Sequence, residues 1–231
     1  MKIIELLISR LKNDPNYKFE TMYSFREIFY ILFYRVVEVF RGSIKIFFFW
    51  KKNGLLLLGK NVTIKHPYLI SFGKNMIIED DVHINALSVN GINFSNNVSI
   101  KSGATIICTG VIKCKGKGVI IGSNSAIGSN NFIHGAGGVN IGENVIMGPD
   151  VKIFSENHNF SDLKVPIRLQ GESREGILIK DDCWIGAGSI ITDGVTIESG
   201  SIVGAGSVVT KSFPPNSIIV GNPAKLLKHR D

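Results

Sequence analysis

A chain of 231 residues with 44 % hydrophobic and 19 % charged side chains can bury a core for one domain plus a modest accessory segment, which excludes a disordered or low-complexity protein. The net charge of +7 does not describe the whole chain: residues 1–65 hold twelve Lys/Arg against five Asp/Glu, and residues 66–231 hold fourteen of each. A balanced main body gives no basic footprint for nucleic acid, and Cys108, Cys114 and Cys183 have neither metal-ligand spacing nor an even number for disulfides, so buried thiols in a reducing compartment are expected.

At the N-terminus, residues 2–12 read as a short helix ending near Asn13-Asp14-Pro15. Glu5 and Arg10 interrupt its apolar stretch and no small-residue cleavage site follows, so a cytoplasmic protein without a signal peptide is expected. A second helix is predicted over 25–41, with Ser24 as N-cap, Glu27 completing a capping box and Gly42 as its stop. One half of that helix carries only Phe25, Ile28, Phe29, Leu32, Phe33, Val36, Val39 and Phe40. Phe47, Phe48, Phe49 and Trp50 follow, yet no charge-free run in 25–52 approaches the 18–20 or so residues that span a bilayer. Two readings of this segment stay open: a cap over the first turn of the domain that follows, and a basic, aromatic element lying on the inner face of the membrane. Residues 1–54 are set apart on these grounds.

From about residue 55 an aliphatic residue returns every sixth position. The run is clearest at Ile179, Ile185, Ile191, Ile197, Val203 and Val209, and small or branched residues (Cys183, Ser189, Val195, Ser201, Ser207) stand two places before each aliphatic. A period of six fits neither a helix nor an alternating strand. Six residues make one short strand and one corner, and three such units close a triangular coil of about 18 residues. The same spacing appears at Phe94, Ile100 and Ile106, at Ile121, Ile127 and Ile133, at Ile141, Met147 and Ile153, and weakly at Ile78 and Ile84. The expected fold is therefore an all-β solenoid over 55–222, a left-handed parallel β-helix of hexapeptide repeats with an N-terminal α-helical segment and a basic tail over 223–231. One polar excursion, 154–178, interrupts it, and long excursions from regular solenoids tend to carry function.

Five motifs in order resemble the hexapeptide-repeat acyltransferases, within them the sugar O-acetyltransferases related to the maltose and galactoside acetyltransferases and to those that decorate bacterial polysaccharides. These are Asn157-His158-Asn159-Phe160, Pro166-Ile167 with Gln170-Gly171, Cys183-Trp184-Ile185-Gly186-Ala187-Gly188, Gly204-Ala205-Gly206-Ser207 leading to Thr210-Lys211, and Gly221-Asn222-Pro223-Ala224-Lys225. The resemblance implies transfer of an acetyl group from acetyl-CoA to a carbohydrate acceptor, without a metal, in a homotrimer whose active sites lie between subunits. It casts His158 as general base and the Ala187 amide as oxyanion donor. Ala205 would line the pantetheine channel, with Thr210, Lys211 and Lys228 or Arg230 around the CoA phosphates. Gln170, Trp184, Asn131 and His134 are the residues expected near the acceptor. Glu172, Asp162 or a backbone carbonyl could orient His158, and His66 and His83 read as structural or surface residues.

Three other functions compete. N-acetylation of an amino-sugar nucleotide uses the same scaffold, often with an extra nucleotide-binding domain for which residues 1–55 are too short. A metal-dependent carbonic anhydrase on this fold needs three converging histidines, and His83, His134 and His158 include no near pair. A non-catalytic binding solenoid would leave the His158 loop and the Gly221–Lys225 turn without a purpose.

Overall fold

A computed structural model describes Glu5, Ser9, Asn16, residues 18–20 and residues 23–230. The helix expected over 2–12 lies outside these residues except for Glu5 and Ser9, which are helical. The rest is a triangular solenoid with three sheet faces and parallel pairing from coil to coil. The first face is seven-stranded and runs from Lys51–Lys52 to Thr196–Ile197; the third, also seven-stranded, runs from Thr63–Lys65 to Val208–Val209. The second runs from Leu56–Leu58 to Ser217–Val220 and gains a ninth strand, Lys225–His229, which pairs antiparallel with Ser217–Val220. The tail is thus part of the sheet. Pairing of Lys51–Lys52 with Ser71–Phe72 also starts the solenoid slightly before residue 55.

The six-residue period becomes columns of stacked aliphatics. On the third face Ile84, Ile106, Ile133, Ile153, Ile191 and Val209 stand in register, all fully buried. Each such side chain contributes about 1.5–3 kcal/mol by leaving water. Corners require left-handed backbone, which Asn and Asp tolerate better than other side chains. Asn75, Asn97, Asn124 and Asn144 adopt it at the first-to-second corner and pass hydrogen bonds along the column at 3.1, 2.9 and 3.3 Å.

The breaks in the period share one location. Residues 86–91, 108–118, 135–138 and 155–176 all leave the coil between a third-face strand and the next first-face strand. Insertions on one corner column stack into a single ridge, so the excursion that carries His158 rests beside the Cys108–Gly118 loop rather than alone.

Helix α1, Phe25–Lys45, begins with the expected capping box: Ser24 accepts from the Glu27 amide, and the Glu27 carboxylate accepts from Ser24 N–H at 2.7 Å. It does not stop at Gly42. The helix passes over the first coil there, and a Cβ on Gly42 would lie 1.8 Å from the Leu56 carbonyl oxygen, so glycine permits a close crossing instead of ending the helix. Phe49, edge-to-face with Phe72 at 5.3 Å, covers the first coil from within, while most of the apolar half of α1 stays exposed. Among the described residues no helix is long and apolar enough to cross a membrane.

Candidate functional site

The excursion 155–176 is an ordered loop built around a short hairpin, Asn157–His158 against Glu172–Ser173, with His158 directly opposite Glu172. Gln170 holds the loop closed: its Nε2 donates to the carbonyls of Asp162 (2.8 Å) and Val165 (2.7 Å), and its Oε1 accepts from the Asp162 amide at 3.0 Å. Asn159 donates to the Gln170 carbonyl. Gln170 therefore shapes the loop from inside, which corrects its expected place beside an acceptor. Both of its Nε2 protons and one Oε1 lone pair are already taken.

His158 itself is exposed. Of the three orienting groups considered for it, Glu172 is the cross-strand neighbour, while Asp162 is occupied with its own turn, accepting from the Lys164 amide at 2.8 Å. At the foot of the hairpin Arg174 donates to Glu156 at 2.6 Å and lies 3.7 Å from Glu172. Its Nη1 also approaches Cys114 Sγ at 3.0 Å, and Lys117 Nζ donates to the Arg174 carbonyl at 3.1 Å. These contacts fasten the His158 loop to its neighbour on the ridge. Arg174 and Glu156 carry no motif, and their pairing across 18 residues is not readable from spacing alone.

Below the loop, His134 lies half-buried on the third face, stacked beside Phe132. Burial depresses its pKa below the ordinary histidine value; Glu156 opposes that shift and Arg174 adds to it. Asn131 turns the other way. It is buried, and its Oδ1 accepts from the Val151 amide at 2.8 Å inside the corner, so it does not reach an acceptor sugar.

A second constellation occupies the second-to-third corner. Ala187 and Ala205 are both exposed there in consecutive coils, each followed by a left-handed glycine, Gly188 or Gly206. A Cβ on Gly206 would meet nothing within 4 Å, so this corner is an open ledge of small residues. Among the described residues no acceptor takes the Ala187 amide. Trp184 projects from the second face three residues earlier, with half its surface exposed.

One chain does not gather all the expected residues. The His158 loop springs from the third-to-first corner, as do exposed Thr210 and Lys211, whereas Ala187 and Ala205 lie on the second-to-third corner. Lys228 is exposed on the last strand of the second face. Arg230 is committed to the first-to-second corner, donating to the Gly200 carbonyl at 2.7 Å and pairing with Asp182 at 3.3 Å, which takes it away from the set around Lys211. No hydrogen bond or ion pair among the described residues joins loop 155–176 to the Ala187 or Ala205 ledge.

Comparison with known proteins adds the following. Over 90 residues the chain is 48 % identical to a candidate acetyltransferase of Dictyostelium discoideum, covering 39 % of this chain and 46 % of that protein. A candidate acetyltransferase of Schizosaccharomyces pombe is 45 % identical over 91 residues, covering 39 % and 42 %. The match thus spans less than half the length of either relative. AntD, an N-acyltransferase from Bacillus cereus solved with dTDP and 3-hydroxybutyryl-CoA, superposes with a TM-score of 0.55 at 22 % identity over 83 % of this chain and 88 % of that one, a likeness of fold. Residues 176–211 match the family described as bacterial transferase hexapeptide (six repeats). The chain thus carries this hexapeptide repeat on a left-handed β-helix and is similar, over about 90 residues, to candidate acetyltransferases.

Proposed function

We propose that the protein transfers an acetyl group from acetyl-CoA to a hydroxyl of a sugar, within a bacterial surface polysaccharide or its precursor, with His158 as general base. The observation that carries this reading is the exposed imidazole of His158, held on a hairpin opposite Glu172 and braced by Arg174. An imidazole acting as a base needs a partner to set its tautomer, and Glu172 is the carboxylate that stands opposite His158 across the hairpin.

The acceptor hydroxyl loses its proton to His158 as its oxygen attacks the thioester carbonyl. The negative charge that gathers on the carbonyl oxygen is met by the Ala187 amide, which has no acceptor among the described residues. When the tetrahedral intermediate collapses, the C–S bond breaks, the acetyl ester remains on the sugar and the imidazolium returns its proton to the departing CoA thiolate. Small residues at 187, 188, 205 and 206 leave a ledge on which a thin pantetheine arm fits, and Thr210, Lys211 and Lys228 supply a donor and cations for the CoA phosphates. Trp184 and His134 remain as surfaces for the acceptor.

The separation of His158 from the Ala187 ledge within one chain supports assembly as a homotrimer, in which the ridge of one copy faces the ledge of the next. A site so built is incomplete in a monomer.

A direct test is release of free CoA thiol from acetyl-CoA with a panel of oligosaccharides, sugar nucleotides and their amino-sugar counterparts. Turnover on hydroxyl acceptors, with loss of about 10²–10⁴-fold in His158→Ala, is expected. Turnover confined to amino sugars would replace this reading with N-acyl transfer, and no turnover with any acceptor while CoA still binds would leave a binding solenoid.

A further inference from the structure

One side of α1 presents an apolar stripe to solvent, while another touches the solenoid at Tyr34, whose ring lies 5.8 Å from Lys60 Nζ. Phe25, Phe29, Phe33, Val36, Phe40 and Ile44 follow one another at spacings of four, four, three, four and four, the periodicity that places side chains on one line of a helix. Ile28 and Gly42, the two buried positions of the helix, lie to one side of this line. Phe25 is 85 % exposed, and beyond the helix Phe47 and Trp50 continue the apolar surface at 76 % and 71 %.

The charge around this stripe has one sign. Arg26, Lys51 and Lys52 are exposed near it, with Lys52 Nζ 4.8 Å above the Phe47 ring and donating to the Ile46 carbonyl at 3.2 Å, whereas Lys45 turns to the solenoid and donates to the Val62 carbonyl at 3.3 Å. The two acidic side chains of the helix are engaged elsewhere: Glu27 closes the cap and Glu38 pairs with Arg35 at 2.7 Å. A cationic rim around an aromatic strip is complementary to a layer of anionic head groups over hydrocarbon. A second copy meeting the same stripe would instead bring two like-charged rims together.

We propose that α1 and the Ile46–Trp50 turn form a docking surface for an anionic lipid bilayer, on which the helix lies in the plane of the interface. The helix cannot span, since it is interrupted by charge and its C-terminal end is locked over the first coil by Gly42. Aromatic side chains enter the head-group boundary and the Arg and Lys side chains meet lipid phosphates. This surface is independent of which acceptor the third-to-first ridge serves.

The test uses the full chain carrying Trp184→Phe, which leaves Trp50 as the only indole. Vesicles of phosphatidylcholine with about a third phosphatidylglycerol should sediment at least about tenfold more protein than pure phosphatidylcholine, and about tenfold less when salt rises from 0.05 to 0.5 M. Trp50 emission should move to shorter wavelength and be quenched by brominated acyl chains. Phe33→Asp with Phe40→Asp should lower binding by about tenfold or more with unchanged far-ultraviolet circular dichroism. Equal binding to neutral and anionic vesicles, or an unmoved Trp50 emission on anionic ones, would overturn the proposal. So would light scattering showing a higher oligomer that the Phe33/Phe40 changes dissolve. The vesicle measurements on the Trp184→Phe protein decide the question even if the double variant fails to fold.

Discussion

The Arg174 guanidinium and the Glu156 carboxylate meet at 2.6 Å, both largely withdrawn from solvent, two residues away from Glu172 and His158 respectively. The pair closes the mouth of the hairpin on which the proposed base sits. Positional errors of an ångström at a catalytic group are costly, so the pair is expected to matter for turnover more than for folding.

Removing one partner tests this. Arg174→Ala should lower kcat for acyl transfer about tenfold or more while shifting the melting temperature only slightly, because the loop lies outside the stacked core. Arg174→Lys keeps the charge but not the forked geometry and should recover part of the rate. Proteolysis within 157–172 should quicken in the Ala variant. A variant with full turnover and an intact loop would show the ion pair to be incidental.

His134 predicts a pH dependence of stability. Burial places its folded pKa below the ordinary value of 6.5, so the unfolded chain binds the proton more readily. The stabilisation from this residue is complete above about pH 6.5 and is lost as pH falls from there through the folded-state pKa. His134→Gln should flatten the decline of melting temperature between about pH 7 and 5. An unchanged slope in the variant would assign the acid sensitivity to other groups.

The three thiols should separate by reactivity. Burial pushes Cys108 up to about 12 and raises Cys183, whereas Cys114 is exposed on the ridge. Only thiolates react appreciably with alkylating reagents. At pH 8 the native protein should lose one thiol quickly, mapped to Cys114 by mass spectrometry, and the other two only on unfolding. Rapid labelling of Cys108 would mean that the core opens at its coil.

Gly42 offers a check on how α1 is seated. Gly42→Ala forces a methyl group against the Leu56 carbonyl and should cost about 1–3 kcal/mol, released as loss of the helix crossing rather than collapse of the solenoid. Accelerated cleavage near Ile46–Trp50 with a preserved β-sheet circular dichroism signal is the expected result. Unchanged protection would place the helix elsewhere.

Much of this was legible in the sequence because the solenoid is written in one variable. Ile179, Ile185 and Ile191 need only their spacing to be placed in columns, and Ser24 with Glu27 announces the start of α1. What stayed hidden depends on contacts between distant residues. Gly42 has the composition of a helix stop, yet a close crossing by Leu56 gives it another use. Gln170 belongs to a recurring motif, but its role as an internal staple needs the carbonyls of Asp162 and Val165 brought beside it. The resemblance put Asn131 near the acceptor, whereas its Oδ1 accepts from the Val151 amide inside a corner. The common corner of the four insertions is equally invisible until the strands are assigned to faces.

In the proposed trimer His158 of one copy works with the Ala187–Ala205 ledge of another. Co-expression of two differently tagged inactive forms, His158→Ala and Ala205→Trp, tests it directly. In randomly mixed trimers a quarter of the interfaces pair an intact histidine with an intact ledge, so acetyl transfer should return to about a quarter of the wild-type rate. Mixed trimers, verified through both tags, that remain as inactive as either parent would contradict a site shared between copies.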